Sequence, residues 1–497
     1  VCREYESRTE QCEMKYSVPK GDGESLFYPA WDRAPELIET NHSLLESHDF
    51  EMAGTSFHQL RASVRREVAA QAGQRASEKL RIIVGAHQPG FQGPGIMYKY
   101  GVLEAFSRHN FSLNYVVDSD VCKEISVKIP YLRGRSIGLR ELVIFRNREG
   151  LVFEKLPLPP KEIVDLRYRE IRKLLASVGT EGMLHAFNDF LAVHERVYAE
   201  EESAAKILTG YRQGYYPTRN VYETSISAIS HSKEFQIFAC DIIEEIEEFH
   251  RAYNSSLDEH RRLHHIRSPA NPFPGLIRDG ELWELPLWGL DSLGRRHKLF
   301  AGGAAGKRFV VRDDVHDRTS PIEPETVLLL RMRPRAVCLT IFLRLFVGDL
   351  FVHGVGGGNY DQVTDRIIEK YYAASPPGYV VCSRTRFLSN QQSAVLQAKA
   401  SQLREKLRRM RHTPEKFAPE GNPLAEEARL IIVGCEGKLS AEEHVRLDEI
   451  RRRVLERITP EMSLTEKELE GAEEALHRQS ALHRRGLPYF LYPQAEL

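Results

Sequence analysis

Leu80-Arg-Ile-Ile-Val-Gly-Ala86, followed by His87-Gln-Pro-Gly-Phe-Gln-Gly-Pro-Gly95, is the stretch on which the fold turns. Ile82, Ile83 and Val84 are consecutive β-branched residues, so residues 81–86 read as a buried strand. Gly90, Gly93, Gly95 and two prolines cannot continue a strand, and they mark a loop. Apolar residues then recur at helical spacing over 96–106, and 113–117 reads as a second strand. A strand, a Gly-rich loop, a helix and a strand in succession predict an α/β fold with a Rossmann-like core.

Upstream, residues 1–25 are polar and are expected to be loosely ordered. Leu37, Leu44, Leu45, Phe57, Leu60, Val64 and Val68 keep helical spacing over 34–76, so 1–79 reads as a helical lead-in. Downstream, a helical insertion is expected over about 151–267, with apolar stripes at 168–175, 184–200 and 227–253. Residues 268–303, rich in Pro, Trp and Gly, predict short strands such as 282–288. A second strand–loop–helix unit follows. Its strand is Leu350-Phe-Val352, its loop is His353-Gly-Val-Gly-Gly-Gly358, and its helix is 361–372 with Asp361 as N-cap. The core is thus expected over 80–390. From Gln391 the chain is charged and helical, with a stripe of Val395, Leu396, Leu403, Leu407 and Met410. Two more helices are expected at 441–457 and 464–484, separated by a break at 459–463. Residues 391–497 therefore read as a C-terminal helical, coiled-coil region.

Lys and Arg number 69 against 70 Asp and Glu, so no global field draws the chain to nucleic acid or an anionic membrane. Attraction to an anion has to be local. No apolar run of about 18 residues suits a membrane span, and the sequence begins without an apolar signal core. The seven cysteines are odd in number and form no C-x-x-C pair. Reduced thiols and a cytoplasmic location are expected.

Two Gly-rich segments carry the candidate chemistry. Gly85, Gly90, Gly93 and Gly95 allow backbone N–H groups to approach a ligand, and the helix behind them favours an anion. His87 and Gln88 stand at the carboxyl end of the strand, where open α/β sheets place ligands. Tyr98 and Lys99 lie in the first helical turn, within reach of the same anion. In the second segment, Gly354, Gly356, Gly357 and Gly358 suit an anion nest. His353 suits acid/base or phosphate contacts, while Asn359, Tyr360 and Asp361 suit hydroxyls or an amine. Asp118 and Asp120, one residue apart at a strand end, suit a divalent cation such as Mg²⁺ bridging a diphosphate, or a substrate amine. Arg331, next to Arg333 and Arg335, suits neutralisation of an anion. Ala301-Gly-Gly-Ala-Ala-Gly-Lys307 lacks the first Gly and the Ser/Thr of a P-loop, and reads as a hairpin turn. His260, His264 and His265 read as a solvated helix face.

The first loop, with Tyr98-Lys99-Tyr100 behind it, resembles the G-Q-Q-P-G-hydrophobic-G-G-P loop and Y-K helix of the bacillithiol-biosynthesis cysteine-adding enzymes. Asp118-Ser119-Asp120 resembles that family's acidic turn. Val327–Arg331 through Gly354–Gly358 resembles its L-R-P…G-G-P-G-E stretch, and residues 403–417 its C-terminal coiled coil. The order is kept over roughly residues 80–420. The resemblance implies a Rossmann-like core and dimerisation through the C-terminal helices. It also implies ligation of cysteine to the amine of a glucosaminyl-malate, and a pocket for ATP or another nucleotide. His87 departs from the family's Gln, and His353 with Asn359-Tyr360-Asp361 departs from its G-G-P-G-E ending. Glu284-Leu-Pro-Leu-Trp288 marks a divergent branch. The expected activity is a ligase or transferase joining a cysteine-like amino acid to an amine-bearing metabolite, with a phosphate between the two loops. Two alternatives stay open. One is a metal-dependent nucleotide-sugar glycosyltransferase using Asp118 and Asp120. The other is a non-catalytic ligand-binding coiled-coil scaffold.

Overall fold

The computed structural model describes residues 14–74, 77, 79–199, 201–319, 324–388, 391–434 and 439–497. Its strands, in chain order, begin with β1 (Ser25–Tyr28), β2 (Glu51–Met52), β3 (Thr55–Ser56), β4 (Ile82–His87) and β5 (Phe111–Val116). Next come β6 (Glu124–Arg133), β7 (Ser136–Arg146) and β8 (Val221–Ser225). Then follow β9 (Arg278–Asp279), β10 (Leu282–Leu290), β11 (Arg296–Gly302), β12 (Phe309–Arg312) and β13 (Val315–Thr319). The last are β14 (Arg333–Pro334), β15 (Leu350–His353) and β16 (Tyr379–Arg384).

The main sheet has the order β1-β16-β15-β4-β5-β8. Neighbours from β16 to β8 are parallel, and β1 is an antiparallel edge. The α/β class expected from residues 80–117 is therefore present. Side chains alternate across this sheet as strand geometry requires. Ile83, Leu350, Val352, Val380 and Cys382 face the helix Pro94–Phe106 on one side. Ile82, Val84, Phe351, Tyr379 and Val381 face the helix Val355–Tyr372 on the other.

β4 and β15 lie side by side at the centre. The chain leaves β4 through the helix Pro94–Phe106 towards β5, and leaves β15 through the helix Val355–Tyr372 towards β16. The two connections run in opposite directions, so a crevice opens between the carboxyl ends of β4 and β15. This switch point is where open α/β sheets bind ligands. The sheet β13-β12-β11-β10-β14 contributes the crevice's other wall.

Several expectations change. The lead-in is two helices, Ala34–Glu46 and Phe57–Gln71, separated by the β2–β3 hairpin, whose turn residues Ala53 and Gly54 have positive φ. Part of the stretch expected to be loose is ordered: Tyr16 is buried, and β1 pairs with β16. Residues 1–13 lie outside the described residues. The stripe over 227–253 is three helices, Ile226–Ile229, Lys233–Glu244 and Ile246–Leu263, because Ser225 and Ser232 cap new starts. In Ala301–Lys307, Ala301 and Gly302 end β11 and pair with β12, and Gly303–Lys307 lie in the turn between these antiparallel strands.

The expected break at 459–463 is absent. One helix, Ala441–Arg478, runs through Pro460, started by a capping box at Ser440 and Glu443. Its buried face, Leu447, Ile450, Val454 and Ile458, packs on Leu407, Met410 and Ala428. That packing offsets the roughly 3 kcal/mol penalty of an interior proline. Val395, assigned to the same stripe as Leu407, is exposed. The chain then turns back, and Tyr489, Phe490 and Leu491 enter the core beside the insertion helices.

Candidate functional site

The crevice at the switch point is a cavity of about 1100 Å³. Both Gly-rich segments line it, through Gly93 and Gly95 on one side and Gly354, Gly356 and Gly357 on the other. Each segment starts a helix. Gly93 is the N-cap of Pro94–Phe106 and Gly354 that of Val355–Tyr372, and neither start has a side-chain cap. Two helix starts, each the positive end of a helix dipole, therefore border the same space; on the first, Pro94 carries no N–H and the Ile96 N–H donates to the Gly93 carbonyl.

Lys99 also lines the crevice. It is 6% exposed, and its ammonium donates to the Ala86 carbonyl at 2.9 Å. No carboxylate among the described residues pairs with it. Burial takes its pKa down to about 8. A buried cation without an opposing charge is costly, which makes Lys99 the most informative group in the site. His87, at the end of β4, is held neutral by burial and by Lys99, with a pKa lowered to about 4. Its Nδ1 is 2.8 Å from the Gln88 carbonyl oxygen.

His353 ends β15 and is 3% exposed. Its Nε2 lies 2.8 Å from Asp361 Oδ2, and burial lowers its pKa against the pull of that carboxylate. Asp361 is not an N-cap. The helix begins six residues earlier, at Val355, and places Asp361 fully buried between His353 and Arg344 Nη1, the latter at 2.7 Å. Burial opposes ionisation of Asp361, but Arg344 and His353 hold its carboxyl below the usual range. The glycines are helical because they must be small. A Cβ on Gly357 would lie 2.6 Å from His353 Nδ1, and one on Gly358 2.4 Å from Val381.

Other candidates take different positions. Gly85 is a packing residue of β4, where a Cβ would meet Leu103 at 2.9 Å. A Cβ on Gly90 would make an ordinary contact with Gln92 Nε2 at 3.6 Å. Tyr98 packs beside the cluster of Ala34 and Ile38, away from the cavity lining. Asn359 exchanges hydrogen bonds with the Tyr16 backbone at 2.8 and 3.0 Å. Tyr360 lines the cavity. Arg331 is exposed at positive φ and donates to the Asp291 carbonyl at 3.3 Å, so it stands outside the crevice.

Both carboxylates of the acidic pair accept hydrogen bonds from protein donors. Asp118 accepts from the Ser227 backbone at 2.9 Å and from the Ser227 hydroxyl, in the first turn of the helix Ile226–Ile229. Asp120 accepts from Arg296 Nη1 at 2.6 Å, from the Val121 backbone at 2.8 Å and from Gln88. Two groups of potential metal ligands lie elsewhere among the described residues. In one, Asp165 and Glu195 hold Lys161 while His194 bonds Asp165 and the Tyr211 hydroxyl, and among His297, Asp313 and Asp314 the last pairs with Arg312.

On the facing wall, Arg335 belongs to the arginine cluster expected to meet an anion, whereas Glu284, Trp288, Arg296 and Lys298 carry no site expectation from the sequence. The guanidinium groups of Arg335 and Arg296 lie over the Trp288 ring, 3.9 and 4.6 Å from its centroid. Glu284, 1% exposed, accepts from Arg335 at 2.9 Å and Lys298 at 3.2 Å. Arg296 and Lys298 share one face of β11 by the two-residue strand period, the one local signal that placed them together. Lys99, Arg296, Lys298, Arg335 and Arg485 line the cavity against the carboxylates of Asp120 and Glu284. The excess is cationic and local, in a chain that is neutral overall.

Arg485 comes from the returning C-terminal segment. Its Nη2 donates to Ser383 Oγ at 3.0 Å, and Tyr489 N donates to the Gln92 carbonyl at 2.8 Å. A Cβ on Gly93 would lie 2.5 Å from the Arg485 carbonyl oxygen. Gly93→Ala is therefore expected to push residues 485–492 off the loop. Amide exchange at Tyr489 should quicken markedly, and unchanged exchange there would contradict this close packing.

No protein-family model matches the chain, and no curated protein matches it.

Proposed function

We propose that the chain is a ligase or transferase with a Rossmann-like core that holds a phosphate group at the switch-point crevice. The acceptor is an amine-bearing metabolite, and the group joined to it is a cysteine-like amino acid. The observation that carries the phosphate site is the convergence of two uncapped, glycine-led helix starts on the unpaired Lys99 ammonium. Phosphate oxygens accept from backbone N–H groups at such helix starts, and a lysine nearby supplies the counter-charge. The cationic excess of the lining supports the same reading. His353, oriented by Asp361, and the neutral His87 are the groups for moving the proton of an attacking amine. The resemblance in loop order to the cysteine-adding enzymes supports the choice of reaction. No step is assigned to a metal, since Asp118 and Asp120 are already satisfied by protein donors.

The test is thermal unfolding of the full chain with pyrophosphate, followed by the same measurement with amino-sugar acceptors and cysteine. A ligand at 100 times its Kd stabilises by roughly 2.7 kcal/mol, so a clear upward shift is expected. The shift should persist in EDTA, because Lys99 and backbone N–H groups carry the binding. No shift at millimolar pyrophosphate, or one abolished by EDTA, would overturn this reading.

A further inference from the structure

We propose that Arg344, held in place by Asp365, is a positioning residue that keeps a proton off Nδ1 of His353, so that Nδ1 is the atom that takes the proton of the attacking amine. This rests on the reading of His353 as a base in the proposed reaction. The transfer is of one proton. An N–H bond of the amine breaks, its electron pair stays on nitrogen for the attack, and the Nδ1 lone pair takes the proton. His353 and Gly357 both line the cavity, and Nδ1 is the ring atom nearest to where a Cβ on Gly357 would lie. A side chain at 357 would cover Nδ1, and none of the described residues hydrogen-bonds it.

The placement of the proton follows from the partners. One oxygen, Asp361 Oδ2, meets both His353 Nε2 at 2.8 Å and Arg344 Nη1 at 2.7 Å. An ionised carboxylate only accepts, so Nε2 has to donate, and a neutral imidazole then carries its lone pair on Nδ1. That arrangement lasts only while Asp361 is ionised, and a fully buried carboxyl does not ionise unaided. Arg344 supplies the opposing charge from the π-helical turn Leu343–Val347. Its Nη2 donates to Asp365 Oδ1 at 2.6 Å and to the Pro377 carbonyl, so the guanidinium is fixed at both ends.

Without Arg344 the Asp361–His353 pair would hold one more proton, because a buried carboxylate with no cation beside it neutralises. Either Asp361 is protonated and donates to Nε2, which puts the imidazole proton on Nδ1, or the imidazole becomes a cation with a proton on both nitrogens. Nδ1 loses its lone pair in both cases. The other groups around the ring do not replace Arg344. Burial lowers the His353 pKa, and Lys99 acts in the same direction as Arg344, against the pull of Asp361. Burial also keeps the Tyr360 and Tyr379 hydroxyls neutral. Behind Arg344, burial pushes the Asp365 carboxyl up to about 7 against the pull of Arg344, with Asp361 and Glu369 adding to the rise. Either form of Asp365 can accept from Nη2.

Nitrogen-15 NMR of the full chain labelled at histidine tests this, with the His353 signals assigned by their loss in His353→Gln. At neutral pH the wild type should show Nε2 protonated and Nδ1 bare. Arg344→Met, and the polar but uncharged Arg344→Gln, should show Nδ1 protonated, with the pH at which it gives up that proton raised by about 1–3 units. Asp365→Asn disturbs the same buried network but leaves Arg344 its hold on Asp361, so Nδ1 should stay bare. A purely structural role would make the Arg344 and Asp365 variants alike. A protonated Nδ1 in the wild type or in Asp365→Asn, or a bare Nδ1 in the Arg344 variants, would overturn the proposal. The first two spectra decide it even if neither Arg344 variant folds. Pyrophosphate binding is read separately. Its absence would overturn the phosphate reading and leave the proton placement, measured in the free protein, standing.

Discussion

Lys99→Met is expected to weaken phosphate binding about 100-fold without loosening the fold. Hydrogen bonds to charged groups contribute roughly 1.5–3 kcal/mol, and each 1.4 kcal/mol is tenfold in affinity. The upper end applies here because the ammonium is buried and no carboxylate among the described residues shares it. Methionine keeps most of the side-chain volume and removes an unpaired buried charge, so thermal stability should be unchanged or higher. The pH dependence has a definite sign. In the free protein the Lys99 pKa is lowered to about 8. Below that value the site is already cationic, and Lys99 adds no pH dependence to the affinity. Above it, binding has to take up a proton, and affinity falls by up to tenfold per pH unit. Calorimetry from pH 6 to 10 should show this fall in the wild type and lose it in Lys99→Met. Retained affinity and an unchanged profile in the variant would remove Lys99 from the site.

The second large effect concerns stability. Asp349, 1% exposed, accepts from Arg61 Nη2 at 2.7 Å, Arg65 Nη1 at 3.0 Å and Ile82 N at 2.8 Å. His42 Nδ1 lies 3.0 Å away. This one carboxylate ties both lead-in helices to the start of β4. Asp349→Ala leaves buried arginines uncompensated, which costs about 3–5 kcal/mol. Urea denaturation should show the loss, and an unchanged midpoint would contradict the role. Burial opposes ionisation of Asp349, but His42, Arg65 and Arg61 hold its pKa down to about 2, against 3.8 for an ordinary aspartate. A depressed carboxyl pKa stabilises above the unfolded value and is lost as pH falls through the folded one. Roughly 2 kcal/mol should therefore disappear between pH 4 and 2. Far-UV circular dichroism in mild denaturant should record that loss in the wild type and a smaller one in Asp349→Asn.

The central unit was legible because its signals are local. Ile82, Ile83 and Val84 alternate across a buried strand, and Gly93 and Gly95 sit where the next helix starts. The glycines after His353 were misjudged because glycine disfavours helix. The close approaches of Gly357 to His353 and of Gly358 to Val381 depend on tertiary packing and outweigh that preference. Pro460 was misjudged for a related reason, since the helix is held by its packed face. Arg296 meets Asp120 across 176 positions of sequence, and Arg485 meets Ser383 across 102. No periodicity reports such encounters. His260 looked like one of three solvated histidines, and only the fold turns it towards the crevice.

The most direct test of the phosphate site is a crystal structure of the chain grown with pyrophosphate. The account predicts anion density at the switch point, with oxygens about 3 Å from the Lys99 ammonium and from first-turn N–H groups of both helices. Density confined to other surfaces, with Lys99 still bound only to the Ala86 carbonyl, would contradict it.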